Sequence, residues 1–136
     1  MAPRAALLVL WILAAAACGL TEGVGIAEKA VATFHERYDA GSFGAIFDDS
    51  TDDLRRNGSR SEFLDAMASV RTKLGSVRDT TRTAFDARIG GDGTFVTLEY
   101  ETEYEHGTAV EEFVWAISDG RAALHRYDLS SRSLLP

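Results

Sequence analysis

The sequence predicts an α+β domain in which N-terminal helices pack on a curved, four-stranded antiparallel meander, and three observations predict it. First, the run Thr94–Tyr104 alternates, with Val96, Leu98, Tyr100 and Tyr104 on one side and Glu99, Glu101 and Glu103 on the other. Period-two alternation of this length marks a half-buried strand. Second, turn signals recur around it, G-G-D-G at 90–93, H-G at 106–107 and D-G at 119–120, the chemistry that tight hairpins require. Third, the residues before Gly75 carry apolar side chains at spacings of three and four, the helical period.

In chain order, residues 1–17 carry one charge, Arg4, ahead of an apolar run from Ala5 to Ala17. That run is too short for a bilayer span of about 20 residues and fits a secretory leader. Gly19–Gly25 reads as a short flexible tether, so the chain divides into a leader at 1–17, Cys18 and tether at 18–24, and one domain at 25–136. Helix one is expected over about Val24–Asp39, with Ala27, Val31, Phe34 and Tyr38 as its apolar stripe and Gly41 as its stop. A helical turn at 43–47 follows, anchored by Phe43, Ile46 and Phe47. Ser50 is then placed to cap a short helix over Thr51–Arg56, with Asp53 completing the box. Ser59 and Glu62 form another capping box, opening a helix that buries Phe63, Met67, Val70 and Leu74 and ends at Gly75.

Strands are expected at about 76–89, 94–105, 108–118 and 121–129, with reversals at 91–92, 106–107 and 119–120. This register sets Phe85 beside Leu98, Thr83 beside Tyr100, Tyr100 beside Phe113 and Leu98 beside Trp115, with Leu124 beyond, all on one face. On the other face Arg82 falls opposite Glu101, Arg78 opposite Glu105, and Glu101 beside Glu112. Val114, Ala116, His125, Tyr127 and Leu129 there form an apolar patch, a candidate homodimer surface.

The chain carries 14 Lys+Arg against 21 Asp+Glu, and losing Arg4 with the leader takes its net charge from −7 to −8. Such an acidic domain lacks the basic footprint that nucleic acid needs, and anionic lipid headgroups repel it. Cys18 is the only cysteine, so it has no intramolecular disulfide partner. The segment A-A-A-C at 15–18 resembles a bacterial lipoprotein signal, with Ala15 where Leu is more usual. The resemblance implies cleavage before Cys18 and acylation of that residue with palmitate-type chains. It implies an exported protein anchored in the cell envelope, and Gly19 rather than Asp points to the periplasmic side of an outer membrane if the host is Gram-negative. The alternative is cleavage after an A-x-A site at Ala15 and Ala17, leaving a soluble secreted protein of the same fold.

The segments F-H-E-R-Y-D-A-G-S-F-G-A-I-F at 34–47, S-R-S-E-F-L-D-A-M-A-S-V-R-T-K-L-G at 59–75 and G-D-G-T-F-V-T-L-E-Y-E-T-E-Y at 91–104 together resemble a nuclear transport factor 2-like domain. The members most similar are small bacterial exported proteins of unassigned function. This resemblance covers about residues 24–130 and implies a cone-shaped, cystatin-like fold, often with a pocket at its open end and often dimeric through its sheet. Some members are isomerases, dehydratases or hydrolases, while many only bind, so the fold leaves function open.

The expected register turns Asp79, Thr81, Thr83, Tyr100, Thr102, Tyr104, Glu111, Arg126 and Asp128 towards the pocket, joined by Tyr38 and Trp115. The sharpest catalytic arrangement is Asp128 as base with Tyr100 or Tyr104 as hydrogen-bond donor; the structural alternative is a local ion pair of Asp128 with Arg126. His35, His106 and His125 lack ligand spacing for zinc, and D-D-S-T-D-D at 48–53 lacks the pattern of a calcium loop. No cofactor or metal is expected. Two functions follow: a lipid-anchored, non-catalytic domain binding a protein or a small apolar ligand, or an isomerase- or dehydratase-type enzyme.

Overall fold

The computed structural model describes the backbone from Pro3 and the side chains from Gly19 to Pro136, so the expectations for the leader at 1–17 and for Cys18 lie outside the described side chains. Four helices precede one sheet: α1 (Pro3–Asp39), α2 (Phe43–Asp48), α3 (Asp52–Arg56) and α4 (Arg60–Leu74), then β1 (Val77–Gly90), β2 (Gly93–Tyr104), β3 (Gly107–Ser118) and β4 (Arg121–Ser130). The strands form one open antiparallel sheet in the order β1-β2-β3-β4. Successive hairpins impose that order, and the expected α+β layer arrangement is present.

The stripe Ala27, Val31, Phe34 and Tyr38 is buried and faces the sheet. Across from it lie Val96, Leu98, Phe113, Trp115 and Leu124, with Met67 and Leu74 of α4 closing the core. The 19–25 stretch is a correction, because α1 runs through it as helix and no tether separates it from the domain. Gly23 is buried against Val96, so these residues are held by packing on the sheet.

Local capping explains the other helix boundaries. Ser59 and Glu62 make the expected reciprocal capping box of α4, which ends at Gly75 with φ 78°. Thr51, not Ser50, caps α3 by accepting from the Leu54 N–H, while the Ser50 hydroxyl turns back to the Phe47 carbonyl. The Thr51 N–H also donates to the Leu124 carbonyl, which ties the helix start to β4.

The register departs from expectation at four places: the β2–β3 reversal, two extra residues in β1 and one in β4. The β2–β3 turn is Glu105-His106, one residue earlier than 106–107, so Tyr100 pairs with Glu111, Leu98 with Phe113 and Val96 with Trp115. The end of α4 clamps this turn: the Glu105 and His106 N–H groups donate to Ser76 and Leu74, and the Ser76 N–H donates to the Glu105 carboxylate at 2.7 Å. In β1, Thr83 is an extra residue between Arg82↔Tyr100 and Ala84↔Glu99, and Arg78 is another between Val77↔Tyr104 and Asp79↔Glu103. In β4, His125 is an extra residue between Trp115↔Leu124 and Val114↔Arg126. Each bulge reverses the parity of what lies beyond it.

Parity reversal changes the two faces. Tyr127 now pairs with Phe113, and Leu129 with Glu111, so both join the core face rather than the outer patch. Arg126 and Asp128 move outward. In β1, Asp79 and Thr81 pair with Glu103 and Glu101 on the outer face, and Thr83 bonds the Glu99 carboxylate there at 2.8 Å. Arg82 pairs with Tyr100 on the inner face and meets Glu28 of α1, not Glu101. The expected Arg78–Glu105 ion pair forms at 3.6 Å, whereas Glu112 neighbours Glu99 instead of Glu101.

Candidate functional site

Two features of the inner face carry chemistry, and the first is a buried carboxylate. Glu111 is 0% exposed. Its Oε1 receives the His35 Nε2–H at 2.8 Å and the Thr102 hydroxyl, and its Oε2 receives the Tyr127 hydroxyl. An ionised carboxylate only accepts, so this geometry places a proton on His35 Nε2. α1 supplies the histidine, because His35 follows Phe34 of the apolar stripe and its ring sits edge-on to Phe34 and Phe113. β2 supplies Thr102 by alternation from Tyr100 and Tyr104, and the His125 bulge turns Tyr127 inward.

Electrostatics follow from this arrangement. Burial alone would raise the Glu111 carboxyl, but the hydrogen bond and charge of His35 with the Thr102 and Tyr127 hydroxyls outweigh it and hold the group below the usual range. Burial, then the nearby Glu111 charge, pushes the Tyr104 and Tyr127 phenols up, so both keep their protons. Tyr38 is also raised, chiefly by burial, and its hydroxyl donates to the Gly75 carbonyl at 2.9 Å. Three donors thus engage the carboxylate, and protein encloses the cluster.

The second feature is a half-open cavity of about 190 Å³ among α1, α2, β3 and β4. Ala30, Phe34, Ile46, Ala122 and Leu124 give it apolar walls, and Trp115, Thr33, Arg37 and Asp49 complete the lining. Arg37 pairs with Asp49 at 2.8 Å, bridging α1 to the end of α2. Trp115 is only 5% exposed, and its indole N–H is buried with no hydrogen-bond partner among the described residues. An unmade buried donor of this kind costs about 1–3 kcal/mol.

The expected catalytic arrangement is not brought together. The Asp128 side chain is 68% exposed and pairs with Arg126 at 3.2 Å on the outer face. Tyr100 and Tyr104 are buried on the inner face, separated from it by the sheet. Of the expected pocket lining, Tyr38, Tyr100 and Trp115 lie inside, whereas Thr83 and Arg126 are turned out by the bulges at Thr83 and His125. The acidic run at 48–53 is engaged by basic neighbours: Asp48 with Arg60, Asp49 with Arg37, Asp52 with Arg55 and Asp53 with Arg56. Among the described residues no cluster of three or more potential ligands could hold a metal ion.

Residues 30–127 match the model of a family described as protein of unknown function (DUF4019). The chain belongs to that family. No curated protein matches it. The DUF4019 region runs from Ala30 on the cavity wall to Tyr127 on the buried carboxylate, so both features fall within it. The pairing of His35 with Glu111, 76 residues apart, has no local spacing to reveal it. Glu111 stood on the expected pocket face, with nothing in its local sequence to single it out from that set.

Proposed function

We propose that this DUF4019 domain is an envelope lipoprotein that binds a small, mainly apolar molecule without transforming it. The observation that carries the reading is the cavity beside Trp115. Its volume of about 190 Å³ is close to the roughly 150 Å³ at which an apolar cavity takes up a benzene-sized molecule. The buried carboxylate, Glu111, is enclosed and already bonded, which suits a structural part. Kinship with nuclear transport factor 2-like cones is part of the proposal, supported by the element order and by bulges that bend β1 and β4.

Anchoring through acylated Cys18 fits the course of α1. Gly19 lies with Ile26, Ile89, Ile117 and Gly120 around a groove at the β1–β2 and β3–β4 hairpin ends. A lipid on the preceding residue would set this end of the sheet at the membrane, on the periplasmic side of an outer membrane in a Gram-negative host. Because 19–25 is helical, the domain would sit close to the bilayer. Two or more acyl chains, at about 0.8 kcal/mol per buried CH₂, would hold it stably.

Native mass spectrometry of the protein purified from its host tests the binding function. A small molecule retained by the folded chain is the expected result; a chain that is always empty would remove the reading. Enzymatic activity is the second reading, favoured by the convergence of carboxylate, imidazole and phenol at Glu111, His35 and Tyr127. It would run through Glu111 rather than Asp128, and loss of turnover in a folded Glu111→Gln protein is its test. A homodimer through the outer sheet face would use Phe95, Val110, Val114 and Ala116, since Tyr127 and Leu129 face inward. Sedimentation of Val110→Glu as a monomer against a dimeric wild type tests that contact.

A further inference from the structure

The sheet ends at β1 on one side, and among the described residues no strand pairs with the free edge of β1. An unpaired edge is a template for a further strand unless something blunts it. The first half of β1 is blunted: extra residues stand at Arg78 and Thr83, and Arg82 carries a charge on the inner face, where it meets Glu28 of α1. The second half, from Ala84 to Gly90, keeps a regular register. Its inner-face residues Phe85 and Ile89 are 60% and 63% exposed. We propose that this strip pairs antiparallel with the same strip of a second copy, about a twofold axis at Ala87, joining two sheets edge to edge.

Backbone geometry limits how the strips can meet. Gly90↔Gly93 closes the two-residue β1–β2 hairpin as a hydrogen-bonded pair, so ladder alternation turns the N–H and C=O groups of Ala84, Asp86 and Arg88 towards β2. Those of Phe85, Ala87 and Ile89 face the free edge. Pairing at least two of these residues across the axis leaves three centres, at Asp86, Ala87 or Arg88.

Charge chooses among them. A centre at Asp86 sets that carboxylate against its own copy, and a centre at Arg88 does the same with the guanidinium. Like charges directly opposite are destabilising. The centre at Ala87 instead sets Asp86 opposite Arg88 of the second copy, on both sides of the axis. Within one chain these two side chains are exposed and 3.1 Å apart, so the second copy completes an alternating set of four charges on the outer face. On the inner face the same register sets Phe85 beside Ile89 of the second copy, so each covers the other. This contact is separate from the outer-face patch at Val110 and Val114.

Sedimentation equilibrium of the full-length protein bearing Cys18→Ser, so that no lipid drives association, tests the pairing. The strip is short, so a reversible dimer with Kd on the order of 100 µM is expected. Asp86→Arg and Arg88→Asp each set like charges opposite one another and should weaken it about tenfold. The double variant Asp86→Arg/Arg88→Asp restores opposite charges and should recover the wild-type Kd. Ala87→Pro removes an N–H that faces the free edge, so it should abolish the dimer while circular dichroism shows a folded monomer. A wild type that is monomeric at about 1 mM would overturn the self-pairing and leave the edge to a strand of a different protein. A double variant as weak as the single ones would overturn the register. A dimer that Val110→Glu dissociates and the β1 variants leave intact would overturn the edge contact in favour of the outer face. Should Ala87→Pro fail to fold, the charge exchange, which touches only exposed side chains, decides alone.

Discussion

Replacing Glu111 with Gln removes one charge from the centre of the core while keeping the side chain's shape. Three donors converge on that carboxylate: His35 Nε2–H, the Thr102 hydroxyl and the Tyr127 hydroxyl. Hydrogen bonds to a charged group contribute about 1.5–3 kcal/mol each, against about 0.5–1.5 for neutral ones, so three conversions cost roughly 3 kcal/mol. Relief of burying a charge offsets part of this, leaving an expected destabilisation of about 1–3 kcal/mol. Glu111→Ala strands all three donors and should cost more, about 3–5 kcal/mol, a large share of a typical total of about 5–15.

The pH dependence follows from the lowered Glu111 carboxyl. A group whose folded value lies below its unfolded value stabilises the fold above the unfolded value, near 4.3 for a free Glu. That contribution fades as pH falls through the folded value. Urea denaturation followed by circular dichroism should therefore show a gap between wild type and Glu111→Gln that is full at neutral pH and shrinks below about pH 4. A gap under about 0.5 kcal/mol at neutral pH, within the range of ordinary surface changes, would refute the reasoning, as would one unchanged into acid.

Gly75→Ala should destabilise by about 1–3 kcal/mol by thermal or urea unfolding, since φ 78° and ψ −159° suit glycine alone. The added Cβ would also lie 2.8 Å from Glu105 Cβ and disturb the β2–β3 clamp. Ser59→Ala removes the α4 cap and should cost about 1 kcal/mol in the same assay. Cys18→Ser should abolish incorporation of a clickable palmitate analogue in the host; a wild type equally unlabelled would end the lipoprotein proposal.

The helix stripe at Ala27, Val31, Phe34 and Tyr38, the Ser59–Glu62 box, the Gly75 stop and the alternation of β2 were legible because each is a local pattern with one physical reading. The bulges at Thr83 and His125 were not. Neither position is a glycine, and each arises from how an edge strand bends against its neighbour. One extra residue at His125 exchanged Tyr127 and Leu129 with Arg126 and Asp128, so the acid chosen from the sequence lies on the outer face instead of facing the core. The β2–β3 reversal moved because its hydrogen bonds lie in the chain near Leu74 and Ser76, far away in sequence. Gly19–Gly25 read as flexible on composition, yet the sheet supplies the packing that holds Gly23 in a helix.

Binding in the cavity beside Trp115 is tested most directly by titrating toluene while following tryptophan emission, in the Trp11→Phe chain and in the same chain with Ala30→Phe filling the cavity. A saturable change in the first and none in the second is the predicted result. A flat response in the first, or the same response in both, would contradict it.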